Sequence, residues 1–188
     1  VVWRNLKILI PFGEEEYYSK LLNHYYVMKT AQPIDVHNYS LTATDEDIKN
    51  GIVDEFGVVY SKDGLRLLRG KNIIQYRIQD GVKAICDEAF TGCESLKSVK
   101  LPKSVSHIGN GAFRGCKSLY SIDLSYVKYI GQIAFEDTSL NKIFFPVSPE
   151  HIGDYAFSNC KKLWYVFCFP NSNQQGIGIF NNCDNLTT

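Results

Sequence analysis

The feature that most constrains this chain is a motif that returns every 22 or 23 residues. Ile85-Cys86-Asp87-Glu88-Ala89-Phe90 recurs as Ile108-Gly109-Asn110-Gly111-Ala112-Phe113, as Ile130-Gly131-Gln132-Ile133-Ala134-Phe135 and as Ile152-Gly153-Asp154-Tyr155-Ala156-Phe157. Read on the same frame, Ile177-Gly178-Ile179-Phe180 is a shortened final copy. Three residues beyond each Phe stands Cys93, Cys116, Thr138, Cys160 or Cys183, followed by Leu96, Leu119, Leu140, Leu163 or Leu186. Self-similarity at this period is the signature of stacked structural units, none of which buries its apolar edge alone.

Each Leu opens a Leu-x-x-apolar-x-apolar frame: Leu96/Val99/Leu101, Leu119/Ile122/Leu124, Leu140/Ile143/Phe145 and Leu163/Val166/Cys168, with Ile73/Tyr76/Ile78 as an earlier rung. The closing apolar pair alternates with period two, which predicts a short strand with one buried face. Pro102, Pro146 and Pro170 follow these strands and end them, because proline donates no ladder hydrogen bond. Stacking at the strand spacing turns the Phe column into an internal pile of rings. Gly109, Gly131, Gly153 and Gly178 predict a turn that favours a residue without Cβ, although Cys86 in that column argues against a required positive φ.

These columns, most completely the run from Leu96 through Leu101-Pro102, Val105, Ile108-Gly109 and Ala112-Phe113 to Cys116, resemble the BspA-like leucine-rich repeat. The resemblance covers about residues 56 to 188. It departs from the pattern at Thr138 and Ser125, and between Asn171 and Gly176. It implies an α/β repeat solenoid of short stacked strands and turns. Five to six coils are expected over residues 58–188, with a helical cap over residues 1–57. It also implies a cell-surface or secreted protein that adheres to host or partner proteins.

The N-terminal part carries its own signals. Val58-Val59-Tyr60 and Leu65-Arg66-Leu67-Leu68 flank Ser61-Lys62-Asp63-Gly64, which predicts a hairpin that starts the solenoid sheet. Glu14 to Ala31 reads as a helix, with Tyr18, Leu21, Leu22 and Tyr25 on one face and Pro33 ending it. Val1 to Phe12 reads as a strand. Thr44-Asp45-Glu46-Asp47 looks like a helix start, and Gly51 closes it. An oligomerisation element or part of a further domain is the alternative to a cap.

Composition narrows the function classes. Net charge is zero, so nothing points to nucleic acid. Residues 1–57 sum to −4 and the rest to +4. No apolar run reaches the length of a membrane span. Four of the six cysteines share one column and no C-x-x-C occurs, which predicts buried thiols packed as small hydrophobes. His107 and His151 share a column two coils apart, roughly 10 Å at strand spacing, too far for one metal; with Tyr129 between them, they read as a solvated ridge. The carboxylates form no recurring pair with His or Ser, and no phosphate loop or nucleophile elbow appears. The chain therefore reads as a binding module, not an enzyme, with no cofactor.

The outward strand positions are the more informative ones. They run Ser98, Ser121, Lys142, Tyr165 in one column and Lys100, Asp123, Phe144, Phe167 in the next. Polar residues give way to aromatics. Lys142, Phe144, Tyr165 and Phe167 are the candidate protein interface, and a second copy of the chain or the tail after Phe169 are alternative covers. An intracellular interaction scaffold or a structural domain of a larger protein are the other functional readings, with a cytoplasmic location as the alternative.

Overall fold

The computed structural model describes residues 40–168 and 176–186. The expected strand at 1–12 and helix at 14–31 lie outside them. Within them the chain forms one short helix, α1 (Asp45–Lys49), and a series of short strands. These are β1 (Ile52–Val53), β2 (Val59–Tyr60), β3 (Arg66–Arg69), β4 (Gln75–Arg77), β5 (Ala84–Ile85) and β6 (Ser98–Lys100). They continue as β7 (His107–Ile108), β8 (Ser121–Ile122), β9 (Tyr129–Ile130), β10 (Lys142–Phe145), β11 (His151–Ile152) and β12 (Tyr165–Cys168).

The strands belong to two edges of a coil. The Leu-x-x-apolar frame supplies β4-β6-β8 and β10-β12, paired in parallel and in register. The pair ending in Ile85, Ile108, Ile130 or Ile152 supplies a second, longer ladder, β1-β2-β3-β5-β7-β9-β11. Beyond the hairpin strands, the sequence predicts a strand only on the first edge. The solenoid closes about four turns among the described residues. Its last copy is described only from Gly176 to Leu186. The helical share expected of an α/β fold reduces, in the described residues, to α1.

The third side of each coil is the turn that carries Phe. Phe90, Phe113, Phe135 and Phe157 are fully buried and stack nearly parallel, with centroids 5.2, 5.2 and 5.1 Å apart; Phe180 follows at 5.7 Å. Backbone bonds lock the turns together, from Phe90 N–H to the Ala112 carbonyl at 2.7 Å and from Phe113 N–H to that of Ala134 at 2.8 Å. Burying each ring contributes roughly 1.5–3 kcal/mol.

The glycine column answers to crowding rather than to φ. A Cβ on Gly109, Gly131 or Gly153 would meet the previous coil's backbone nitrogen at 2.5, 2.6 or 2.5 Å. Gly176 has the same surroundings, 2.4 Å from the Asp154 nitrogen, so it is the glycine of this column and Gly178 is not. Gly178, at φ +60°, falls instead in the left-handed position shared by Glu88, Gly111, Ile133 and Tyr155. The final copy is therefore shifted by two residues from the sequence reading, and Ile177 matches Asp154.

At the N-terminal end the hairpin forms as expected, with Gly64 at φ +70° and its N–H bonded to the Ser61 carbonyl at 2.8 Å. Strand β3 pairs antiparallel with β2 and parallel with β5, so the hairpin does begin the solenoid sheet. Helix α1 starts at a capping box: Thr44 Oγ1 accepts from Asp47 N–H at 3.0 Å, and Asp47 Oδ2 accepts from Thr44 N–H at 3.1 Å. Its Ile48, with Ala43, packs on Val59, Leu68 and Cys86. Arg66 ties this segment down through Asp47 at 3.1 Å and the Ser40 carbonyl at 3.1 Å.

Candidate functional site

The four proposed interface residues meet on one surface. In the parallel pair of β10 and β12, Lys142 lies opposite Tyr165 and Phe144 opposite Phe167. Ile143 and Val166 face the core at 2% and 3% exposure, so alternation turns Phe144 and Phe167 outward. The two rings stack at 4.8 Å and 17°. Lys142 is exposed, while Phe144 and Tyr165 are half-buried. Phe167, expected as a ring in water, keeps only 7% of its surface open, because its face is taken up by Phe144 and by further contacts.

One aromatic was missed. Trp164 is 54% exposed and its ring sits 5.6 Å from that of Tyr165. It belongs to a column linked by backbone bonds, in which Tyr120 donates to Lys97, Asn141 to Tyr120, and Trp164 to Asn141. The residue after each motif Leu varies too widely to have marked it.

Toward the N-terminus the same face becomes cationic. Arg77 lies opposite Lys100 in the β4–β6 pair. Both border a groove of about 340 Å³ that Asp80, Lys103, Asp123 and Tyr126 also line. Arg77 contacts Asp80 at 3.7 Å, both largely exposed. Asp123 accepts from the Ser125 N–H at 2.9 Å and its Oγ at 2.6 Å. Lys103 holds its Nζ 5.5 Å above the Tyr126 ring.

The histidine column is a packed stack and not a solvated ridge. His107 is 7% exposed and stacks on Tyr129 at 5.4 Å; Tyr129 stacks on His151 at 4.8 Å. Ser106 Oγ pairs with His107 Nδ1 at 2.8 Å, whereas His151 Nδ1 is buried with no hydrogen-bond partner. Burial holds the His107 imidazole below its ordinary range.

The cysteine column is a ladder of buried free thiols, Cys93, Cys116, Cys160 and Cys183, and Cys86 is also buried and free. Each of three thiols donates to the carbonyl of a Phe in a preceding copy: Cys116 to Phe90 at 3.1 Å, Cys160 to Phe135 at 3.2 Å and Cys183 to Phe157 at 3.1 Å. Thr138 occupies its place in the column with its hydroxyl 3.2 Å from Cys160 Sγ. Burial pushes the Cys86 and Cys116 thiols up to about 12, far from a reactive thiolate. The side chain of Cys168 lies outside the description. Among the described residues, no three His, Cys, Asp or Glu side chains converge as for a metal, and no helix is long and apolar enough to cross a membrane.

Three comparisons bear on this geometry. The model of the BspA type leucine rich repeat region matches residues 66–188, in six copies. Among solved structures, a leucine rich cell surface protein of Faecalibacterium prausnitzii is 28% identical, with a TM-score of 0.59. The match covers 74% of this chain and 38% of that one. The pneumococcal vaccine antigen PcpA is 22% identical with a TM-score of 0.62, and the match covers 73% of this chain and 36% of that one. The chain thus spans less than half the length of either relative. No curated protein matches the sequence.

Proposed function

We propose, from the premise that this chain belongs to the BspA-type leucine-rich repeat family, that it is a protein-binding module with an adhesive role at a cell surface. The fold makes it an interaction scaffold: a rigid stack whose outward strand positions vary while its inward ones repeat. The observation that carries the reading is the surface of Phe144, Phe167, Tyr165 and Lys142, extended by Trp164. Aromatic rings gathered on the outward side of one strand pair, with a lysine at their rim, have the composition of an interface centre. The named surface location of the Faecalibacterium relative supports the cell-surface role. Binding would rest on shape and apolar contact along the sheet, without covalent chemistry or a cofactor.

The test is adhesion by the full chain to a panel of purified host-surface and matrix proteins. It is compared with the double variant Phe144→Ser, Trp164→Ser. We expect at least one panel protein to bind, and the variant to bind it on the order of ten-fold more weakly while still folding cooperatively. A variant that folds and binds as well as the parent would remove these residues from the site.

A further inference from the structure

The charge on this face is distributed in a way that the proposed aromatic interface does not use. On other faces of the same coils, cations are matched by the neighbouring coil: Lys117 meets Glu94 at 2.7 Å, Arg114 meets Glu136 at 2.9 Å and Lys128 meets Glu150 at 2.9 Å. On the strand edge, Lys97, Lys100 and Lys103 of a single coil are exposed and form no ion pair among the described residues. Arg77, one coil back, lies in register with Lys100. The two carboxylates of the groove do not neutralise this edge. Asp123 is occupied by Ser125, and the Arg77–Asp80 pair is long and solvated, worth little.

The cationic edge and the aromatic pair share one column: Arg77, Lys100, Asp123, Phe144, Phe167. A ligand running along the solenoid axis meets positive charge first and stacked rings two coils later. The span is four coil steps, roughly 19 Å, which an extended peptide of about six residues covers. A uniform polyanion does not suit this surface, because the cations stop at Lys100 and Asp123 follows. Resting on the protein-binding reading above, we propose that the strand face takes an extended peptide segment of its partner. That segment carries carboxylates at one end, seated over Arg77, Lys100 and Lys103, and an aromatic or large apolar side chain at the other, against Phe144.

A hexapeptide array that permutes acidic, aromatic and neutral blocks tests this, probed with the full chain, with Lys100→Glu, Lys103→Glu, and with Phe144→Ser. Soluble heparin is the polyanion competitor. The expected result is retention of acidic–aromatic peptides above acid-only and aromatic-only ones. That retention should fall with salt and drop on the order of ten-fold in the lysine variant, while aromatic-only binding is unaffected there. Because both lysines are exposed, the melting temperature should not move. If aromatic peptides bind through Phe144 with no preference for acid, the acidic subsite is wrong and the face remains an interface. Preference for heparin, or equal binding by the lysine variant, also overturns the subsite. If no peptide is retained, the extended-peptide proposal falls, while the protein-binding reading is decided by the protein panel above.

Discussion

Two columns run through the same coils at the same spacing, one inside and one outside. Inside, Phe90, Phe113, Phe135, Phe157 and Phe180 repeat a single side chain. Outside, Arg77, Lys100, Asp123, Phe144 and Phe167 use four residue types in five copies. The inner column is fully buried from Phe90 to Phe157, so a change of volume in one coil is felt in the coils on either side. The outer column runs along two parallel ladders, β4-β6-β8 and β10-β12, and its chemistry is free to differ from coil to coil. The scaffold and the proposed binding surface are therefore separable in this molecule: the rings sit on the turns and the outer column on the strand edge of the same coils.

Several substitutions would break or sharpen that contrast. The largest effect is expected from Phe113→Ala, which empties the middle of the ring stack and should cost about 3–5 kcal/mol in chemical denaturation. Next comes Gly131→Ala. Its methyl would press on the Asn110 nitrogen 2.6 Å away, so a loss of about 1–3 kcal/mol is expected; the same change at Gly81, where nothing lies within 4 Å but φ is +95°, isolates the backbone contribution.

Asp154→Ala should cost about 1 kcal/mol, because Asp154 Oδ1 accepts the Ile177 N–H of the following coil at 2.7 Å. The smallest effect is a pH slope. His107 has its folded-state pKa held below the unfolded value of 6.5, so the unfolded chain takes up the proton first. Stability is full above about pH 6.5 and falls as pH drops below it. Ser106, Lys128 and Glu150 are the polar groups around the imidazole. In His107→Tyr, which extends the Tyr129 stack, the loss of stability between about pH 7.5 and 5.5 should shrink; an unchanged loss would assign the slope to other groups.

The parts legible in the sequence were those that a column repeats. The Phe stack, the Leu frame and the buried thiols stand as read because each recurs at a fixed spacing, and the Asp63-Gly64 hairpin because its turn chemistry is local. The second ladder was not legible. A two-residue strand such as His107–Ile108 contains no alternation to detect, and its existence depends on partners a coil away. The register of the last copy was ambiguous because Gly176-Ile177-Gly178 offers two glycines. Only the approach of the Asp154 nitrogen separates the crowded position from the left-handed one. On the candidate face, alternation placed Phe144 and Phe167 on the same side, but the covering of Phe167 depends on three-dimensional neighbours. Trp164 escaped notice because Lys97, Tyr120 and Asn141 fill the same position in the other copies.

Finally, the hairpin gives the stack a polarity. From β3 onward the long ladder is parallel, each coil laid on the one before it in the same sense. Across β1, β2 and β3 the chain reverses at each step, and Leu41 already accepts the Asp87 N–H at 2.8 Å on that side. A further coil of the same kind has no matching edge to join there. Toward the C-terminal side, Gly176 keeps the Cβ-free position, and Asp154 takes the Ile177 N–H as Asp87 takes that of Asn110 and Asn110 that of Gln132. Duplicating a whole 22- or 23-residue unit would therefore lengthen the molecule toward its C-terminal side while preserving every inter-coil bond, and each added unit would bring one new rung of outward side chains. The reach of the recognition surface is thus set by how many coils follow the hairpin, and its selectivity by what those rungs display.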